Sequence, residues 1–262
     1  MPVDLITLLS PKNLVIFVIV FTRLTGLMMS APLISKYPIP FQIKAWFVTM
    51  ISFIIFPIVL ANVNFAMPTT IPELTLILIR EFMIGYIVGF VANIIFIAVE
   101  ISAELVSMQM GLTAAQALNP TTGDTAPILS HVYTIMASMI FIGINGYQWV
   151  FSGLYKSFFL MPPGYSFIVT GNMAHNVMWV SNQIFIIGLG LALPIFSVLL
   201  LTDVLLGFVA KMMPKMNIFM VALPAKIYIG LSIFIMLTPQ IVSKIEILLK
   251  DYLTGIISVL GG

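Results

Sequence analysis

Residues 80–104 read REFMIGYIVGFVANIIFIAVEISAE. Between Glu81 and Glu100 lie 18 uncharged residues, 82–99. An α-helix needs ~20 predominantly apolar residues to cross the hydrocarbon of a bilayer. Inside that window Gly85 and Gly89 stand four residues apart. This small-x-x-x-small spacing lets a neighbouring helix approach to backbone distance. Gly188 and Gly190 put small residues into a later apolar run. The stretch therefore predicts a membrane helix with ionisable groups at both ends, and its small-residue spacing, a common pattern, would permit close packing on another helix.

The rest of the chain has the same character. Only 8% of its 262 residues are charged and 61% are hydrophobic, and the mean hydropathy is +1.16. So few charges cannot cover the surface of a water-soluble domain this long. The composition predicts an all-α, polytopic membrane protein. Uncharged windows predict six spans, near residues 14–31, 45–61, 82–99, 128–144, 179–202 and 227–243. Arg23 splits the first apolar stretch and no small-x-small cleavage site follows, so the N-terminus is expected to be retained. Turn chemistry separates the spans: Pro32, Pro38 and Pro40; Pro68 and Pro72; the run NPTTGDTAP at 119–127; Pro162, Pro163 and Gly164; and Pro214 with Pro224 bracketing the last connection.

Six alternating spans place Lys36, Lys44, Lys211, Lys215 and Lys226 on one side. Lys12, Arg80, Lys156, Lys244 and Lys250 fall on the other. Ordinary multi-span proteins carry an excess of Lys and Arg on the cytoplasmic side. A tie points to hairpins packed into a larger complex, or to a different number of spans.

Composition also excludes function classes. Without cysteine there are no disulfides, thiolate metal sites or cysteine nucleophiles. Two histidines, His131 and His175, cannot build a three-histidine metal centre. A net charge of +2, scattered along the chain, does not make a nucleic-acid surface. Asp124 and Asp203 are the pair a membrane aspartyl protease would need, but TTGD at 121–124 is not GxGD, and Asp124 fits a turn. Neither histidine sits in a hydrolase motif, and no phosphate loop is present. The expectation is a protein without enzymatic activity or cofactor. A secondary transporter with a broken helix at 119–127 is an alternative from another class.

The ionisable groups within apolar runs are the candidate functional residues. Arg23 is preceded by ten uncharged residues. At a lipid-facing bilayer centre it would cost ~2.5–3.5 kcal/mol, so it calls for a buried polar partner. Glu100 and Glu104 share one helix face a turn apart and need water or cations. Among 18 methionines, Met108 and Met110 stand beside a helix break, where an adaptable side chain suits a surface that seals and yields.

Several segments, in order along the chain, resemble the FliR family of flagellar export-gate subunits and its injectisome relatives. They are Arg23 with SAPLISKYPIP at 30–40, ELVSMQMGL at 104–112, Asn119-Pro120 with Pro127, NGYQW at 145–149, and MPKMNIF at 213–219 with Pro224. The resemblance implies a FliP-like helical region, 1–178, fused to a FliQ-like helical hairpin and tail, 179–262. It implies one copy in a hetero-oligomeric helical ring with FliP and FliQ, in the bacterial inner membrane at the flagellar basal body, with FlhB around the closed gate. Unfolded flagellar proteins would pass through the ring. Arg23, Glu100 and Glu104 would then be buried polar or interface groups. Residues 111–127 would be a plug loop, with Met108, Met110, Gly111, Leu112, Leu118, Asn119, Pro120 and Pro127 at the pore. The family's loop carries aromatic residues and Asp-Pro, whereas this chain has TAAQAL at 113–118 and Asn119 before Pro120. Lys211 and Lys215, near Asp203 and Lys226, would contact a partner such as FlhB. An injectisome homologue shares these motifs and is the alternative within the class.

Overall fold

The computed structural model describes residues 10–32, 35, 39–62, 67–68, 70–113, 128–163, 171–213 and 218–255; the side chains of 171–177 and 218–219 are not among what is described. Among these residues there are seven helices and no strand. They are α1 (Pro11–Ser30), α2 (Phe41–Asn62), α3 (Ile71–Met110), α4 (Ile128–Gly143), α5 (Gly146–Leu160), α6 (Gly171–Met212) and α7 (Ile218–Thr254). Five are long and apolar enough to cross a membrane, or six if the bent pair α4–α5 is one span. The chain is an all-α polytopic membrane protein.

Three helices overrun the spans expected from hydropathy. α3 has 40 residues, α6 has 42 and α7 has 37. At 1.5 Å per residue these are about 55–63 Å long, roughly twice the ~30 Å hydrocarbon thickness. Glu81, where a charge-based window ends, lies inside α3 because the fold buries it with a partner. Pro224, expected to close the last connection, lies inside α7, as does Pro239. Internal prolines are tolerated in membrane helices where neighbouring groups take up the freed carbonyls. α4 and α5 meet at a 68° bend, where Asn145 adopts left-handed φ 56, a conformation Asn reaches more readily than most residues.

The helices form two compact units, each drawn from discontinuous segments. The first comprises Met1–Asn93, Asn145–Val180 and Lys250–Gly262; the second comprises Ile94–Ile144 and Ser181–Leu249. In the first, α1 buries Ile16, Ile19, Val20, Leu24 and Leu27 at helical spacing. α2 contributes a narrow stripe of Val48, Ser52, Phe56 and Val59. The Phe17 ring lies 4.8 Å from that of Phe53 and 5.9 Å from that of Phe56, joining the two helices. In the second unit, Ala98, Val99, Ala103 and Val106 of α3 are buried with Tyr133, Ala137 and Phe141 of α4 and with Leu191, Ile195 and Leu199 of α6. Hydroxyls in both units bond back to the carbonyl four residues earlier, as Ser52 does to Val48 and Ser107 to Ala103. That bond satisfies a polar group where no water is available.

Candidate functional site

Within the first unit α1 uses the close approach that the small residues Gly85 and Gly89 permit. A Cβ at Gly85 would overlap the Arg23 carbonyl, and one at Gly89 would overlap the Ser30 hydroxyl. From the other side, a Cβ at Gly26 would run into the Phe82 carbonyl. α1 and α3 therefore touch at their backbones. The Ser30 hydroxyl adds a 2.8 Å bond to the Tyr86 carbonyl.

This close approach sets the depth of Arg23, which is 0% exposed. Its Nε donates to Glu81 Oε2 at 2.6 Å. Its Nη1 donates to the Ser157 hydroxyl at 3.1 Å, and its Nη2 to the Met161 carbonyl at 2.8 Å. The Ser157 hydroxyl in turn donates a hydrogen bond to the Leu154 carbonyl at 2.6 Å. The guanidinium carbon lies 4.1 Å from the Phe158 ring centroid, a cation–π geometry strengthened by the lack of water. One arginine thus ties together α1, α3 and the end of α5. The sequence called for a buried partner for Arg23. Glu81 stands out in the sequence as an ionisable group at the end of an apolar run, but nothing there pairs it with Arg23.

In the second unit the polar groups gather around the C-terminal end of α3. Gln109 Nε2 donates to Asp203 Oδ2 at 2.8 Å. Lys226 Nζ reaches both Asp203 oxygens, at 2.7 Å and 3.0 Å. Asp203 therefore joins α3, α6 and α7. Met110 is 0% exposed and fills the notch left by Gly230, whose added Cβ would lie 2.6 Å from Met110 Cε. Gly111 follows at φ 80, the left-handed conformation that glycine adopts at a helix C-terminus. Leu223 Cδ2 would lie 2.5 Å from a Cβ built there. Three consecutive residues, Gln109 to Gly111, are thus held by the α6–α7 hairpin. Gln109 was missed from sequence; its signal is one amide between Met108 and Met110.

The other predicted residues divide as follows. Glu100 is half-buried and Glu104 exposed, and both share a face of α3 with Met108, which is 66% exposed. Met108 and Met110 consequently lie on different sides of the helix. Leu112 is half-buried. Lys211 is exposed in the last turn of α6, where a cation complements the helix dipole. Leu118, Asn119, Pro120, Asp124, Pro127 and Lys215 lie outside the described residues.

In this polytopic α-helical membrane protein Arg23, Glu81 and Asp203 join helices to one another. The sequence profile of the bacterial export proteins, family 1, matches residues 14–252. The chain is 30% identical to the flagellar biosynthetic protein FliR of Escherichia coli (strain K12) over 87% of its length and 86% of that protein. It is 28% identical to FliR of Pectobacterium carotovorum over 91% of its length and 92% of that protein. It is also 28% identical to FliR of Bacillus subtilis (strain 168) over 84% of each. The chain belongs to the bacterial export proteins, family 1, the family of these FliR proteins.

Proposed function

We propose that this chain is the single-copy core subunit of a flagellar type III protein export gate in the bacterial inner membrane. It joins FliP and FliQ in a hetero-oligomeric ring, closes the channel, and lets unfolded flagellar proteins through. The observation that carries the proposal is the apolar surface left uncovered on helices longer than a bilayer is thick. In the candidate span Met220–Thr254 only 11% of the apolar window is buried. Tyr228, Ile235 and Met236 of α7 are 76%, 70% and 78% exposed. Lipid can cover about half of such a helix, and neighbouring subunits are the natural cover for the rest.

Residues 111–127 are the plug in this proposal, and Gln109, Met110 and Gly111 are its root. The root is held by Asp203, Gly230 and Leu223. Met108, exposed one turn before the break, is placed to help seal, with Leu112 and Leu118 supplying the aliphatic contacts that aromatic side chains make in the family. Lys211 and Lys215 form a basic contact for FlhB. The domain division at 178/179 belongs to the same proposal: FliP-like before it and FliQ-like after it.

Native mass spectrometry after co-expression with FliP and FliQ of the same genome tests the assignment. The expected result is one copy of this chain in a mixed complex. A chain that purifies alone, also when offered injectisome counterparts, would overturn it.

A further inference from the structure

α1 and α2 run antiparallel in the first unit: Phe17 meets Phe53 and Phe56, whereas Met28 and Met29, later in α1, share a cleft with Phe41 and Lys44, earlier in α2. The two helices leave between them a cleft of about 500 Å³ that Tyr86 of α3 also lines. A volume of 300–1,000 Å³ is typical of sites that hold a small molecule. Phe21, Val48, Met29, Phe41 and Lys44 are among its lining residues; Val48 is buried, whereas Met29 and Phe41 are exposed. Two hydroxyls on the wall are already committed: Thr25 donates to the Phe21 carbonyl at 2.8 Å, and Ser35 to the Ala31 carbonyl at 2.9 Å. Lys44 is the one charged side chain among the described lining residues. Among the described residues no carboxylate pairs with it.

Beyond Lys44, α2 carries no charge through residue 62. Its outer face is apolar and open, with Met50 66%, Phe53 62% and Ile54 68% exposed. Trp46, two residues after Lys44, is 71% exposed. A cation beside an exposed tryptophan at the end of an uncharged helix marks the boundary between headgroups and hydrocarbon. The cleft therefore opens at headgroup depth and runs inward along the apolar side.

We infer that this cleft binds one anionic phospholipid, its phosphate on the Lys44 ammonium and one acyl chain between α1 and α2. The complementarity is twofold. Apart from the Tyr86 phenol, the described wall offers hydrocarbon contact, its Thr25 and Ser35 hydroxyls being bonded to backbone carbonyls, which suits an acyl chain. Among the described lining residues the only charge is the Lys44 cation, which selects an anionic headgroup over a zwitterionic one. The site does not depend on the gate proposal.

The test uses the full chain in lipid nanodiscs, with tracer phosphatidylglycerol or phosphatidylcholine carrying a photoreactive diazirine at mid-chain. Crosslinked peptides are mapped by mass spectrometry. The phosphatidylglycerol probe is expected to label Met28, Met29 and Val48 above the lipid-facing background of Phe53 and Ile54. Lys44→Glu should cut labelling inside the cleft about fivefold or more, from the ~1 kcal/mol that one basic residue contributes at an anionic surface, while labelling of the outer face stays. Met29→Trp, at an exposed rim position that leaves the core intact, should block both probes. Equal cleft labelling by the two headgroups, or labelling unchanged by Lys44→Glu, would overturn the inference. So would cleft labelling that disappears when the chain is co-expressed with FliP and FliQ, which would make a protein neighbour the occupant.

Discussion

Arg23 and Glu81 meet at 2.6 Å with side chains 0% and 3% exposed, a charge pair sealed inside the first helical unit. Each charge is tolerable only because the other is present. Removing one member of a buried pair leaves the other unpaired, at a typical cost of about 3–5 kcal/mol. Arg23→Ala and Glu81→Ala should each lower the thermal midpoint of the detergent-purified protein and its level in the membrane. Arg23→Lys should not rescue, because a lysine cannot span the three acceptors of Glu81, Ser157 and Met161 at once. The double replacement Arg23→Met, Glu81→Leu should recover most of the loss, since apolar residues of similar volume often match a buried pair. Single variants as stable as the parent would remove this account of the core.

Backbone contact between α1 and α3 makes Gly85 a second fixed point. A methyl group there meets the Arg23 carbonyl rather than a movable side chain, so the helices must separate. Gly85→Ala should cost about 1–3 kcal/mol, as overpacking generally does. Gly207, in α6, has nothing within 4 Å of an added Cβ. Gly207→Ala should be neutral or stabilise by up to ~1 kcal/mol through helix propensity. Thermal unfolding of the two variants side by side decides the matter, and equal midpoints would count against a close α1–α3 approach.

These two sites also mark how far the sequence was legible. The spacing of Gly85 and Gly89 is local, so it could be read as permitting close packing, although so common a pattern does not by itself require it. The burial of Arg23 could be read as well, because a charge deep in an apolar run has few alternatives. Its partner could not, since pairing Arg23 with Glu81 needs the register between α1 and α3. The same missing pair shortened the predicted spans: a hydropathy window ends at Glu81, whereas the fold neutralises that carboxylate and carries α3 through it. Pro224 was read as a boundary because proline usually ends a helix, yet α7 runs through it. The left-handed Asn145 had a local signal in Asn145-Gly146, a turn dipeptide, so the bend between α4 and α5 could have been found. The link between Gln109 and Asp203 spans 94 residues, and a single sequence carries no local trace of it.

Asp203 is expected to matter for closure more than for stability. The pair with Lys226 is partly exposed, 41% at Asp203 and 16% at Lys226, and such pairs contribute about 0–1 kcal/mol. Asp203→Ala should therefore leave the thermal midpoint nearly unchanged. It also frees Gln109, so under the gate proposal the root of 111–127 loosens and ion leakage rises in cells that co-express the gate subunits. The exchange Asp203→Lys, Lys226→Asp should return leakage toward the parent level. Deleting 113–127 outright should leak more than any point variant. A deletion that leaves conductance at background would end the plug proposal, and a silent Asp203→Ala would end the anchoring role alone.

Met110 and Gly230 provide a test of the same root that does not depend on charge. Three atoms of Met110 crowd the position a Gly230 Cβ would take, at 2.6, 2.8 and 3.0 Å. Gly230→Ala must push the Met110 side chain out of a position where it is 0% exposed, at about 1–3 kcal/mol. Met110→Ala should cost about 2–5 kcal/mol, because it leaves a cavity at the end of α3. Together the substitutions relieve one another, since the new methyl enters the space the methionine vacates. The double variant should be more stable than the sum of the singles predicts, with a coupling of about 0.5–3 kcal/mol, typical of residues in contact. Additive losses in thermal or denaturant unfolding would mean that Met110 does not seat on Gly230. If the coupling is present and leakage follows the singles but not the double variant, the seat of Met110 is what holds the loop root closed.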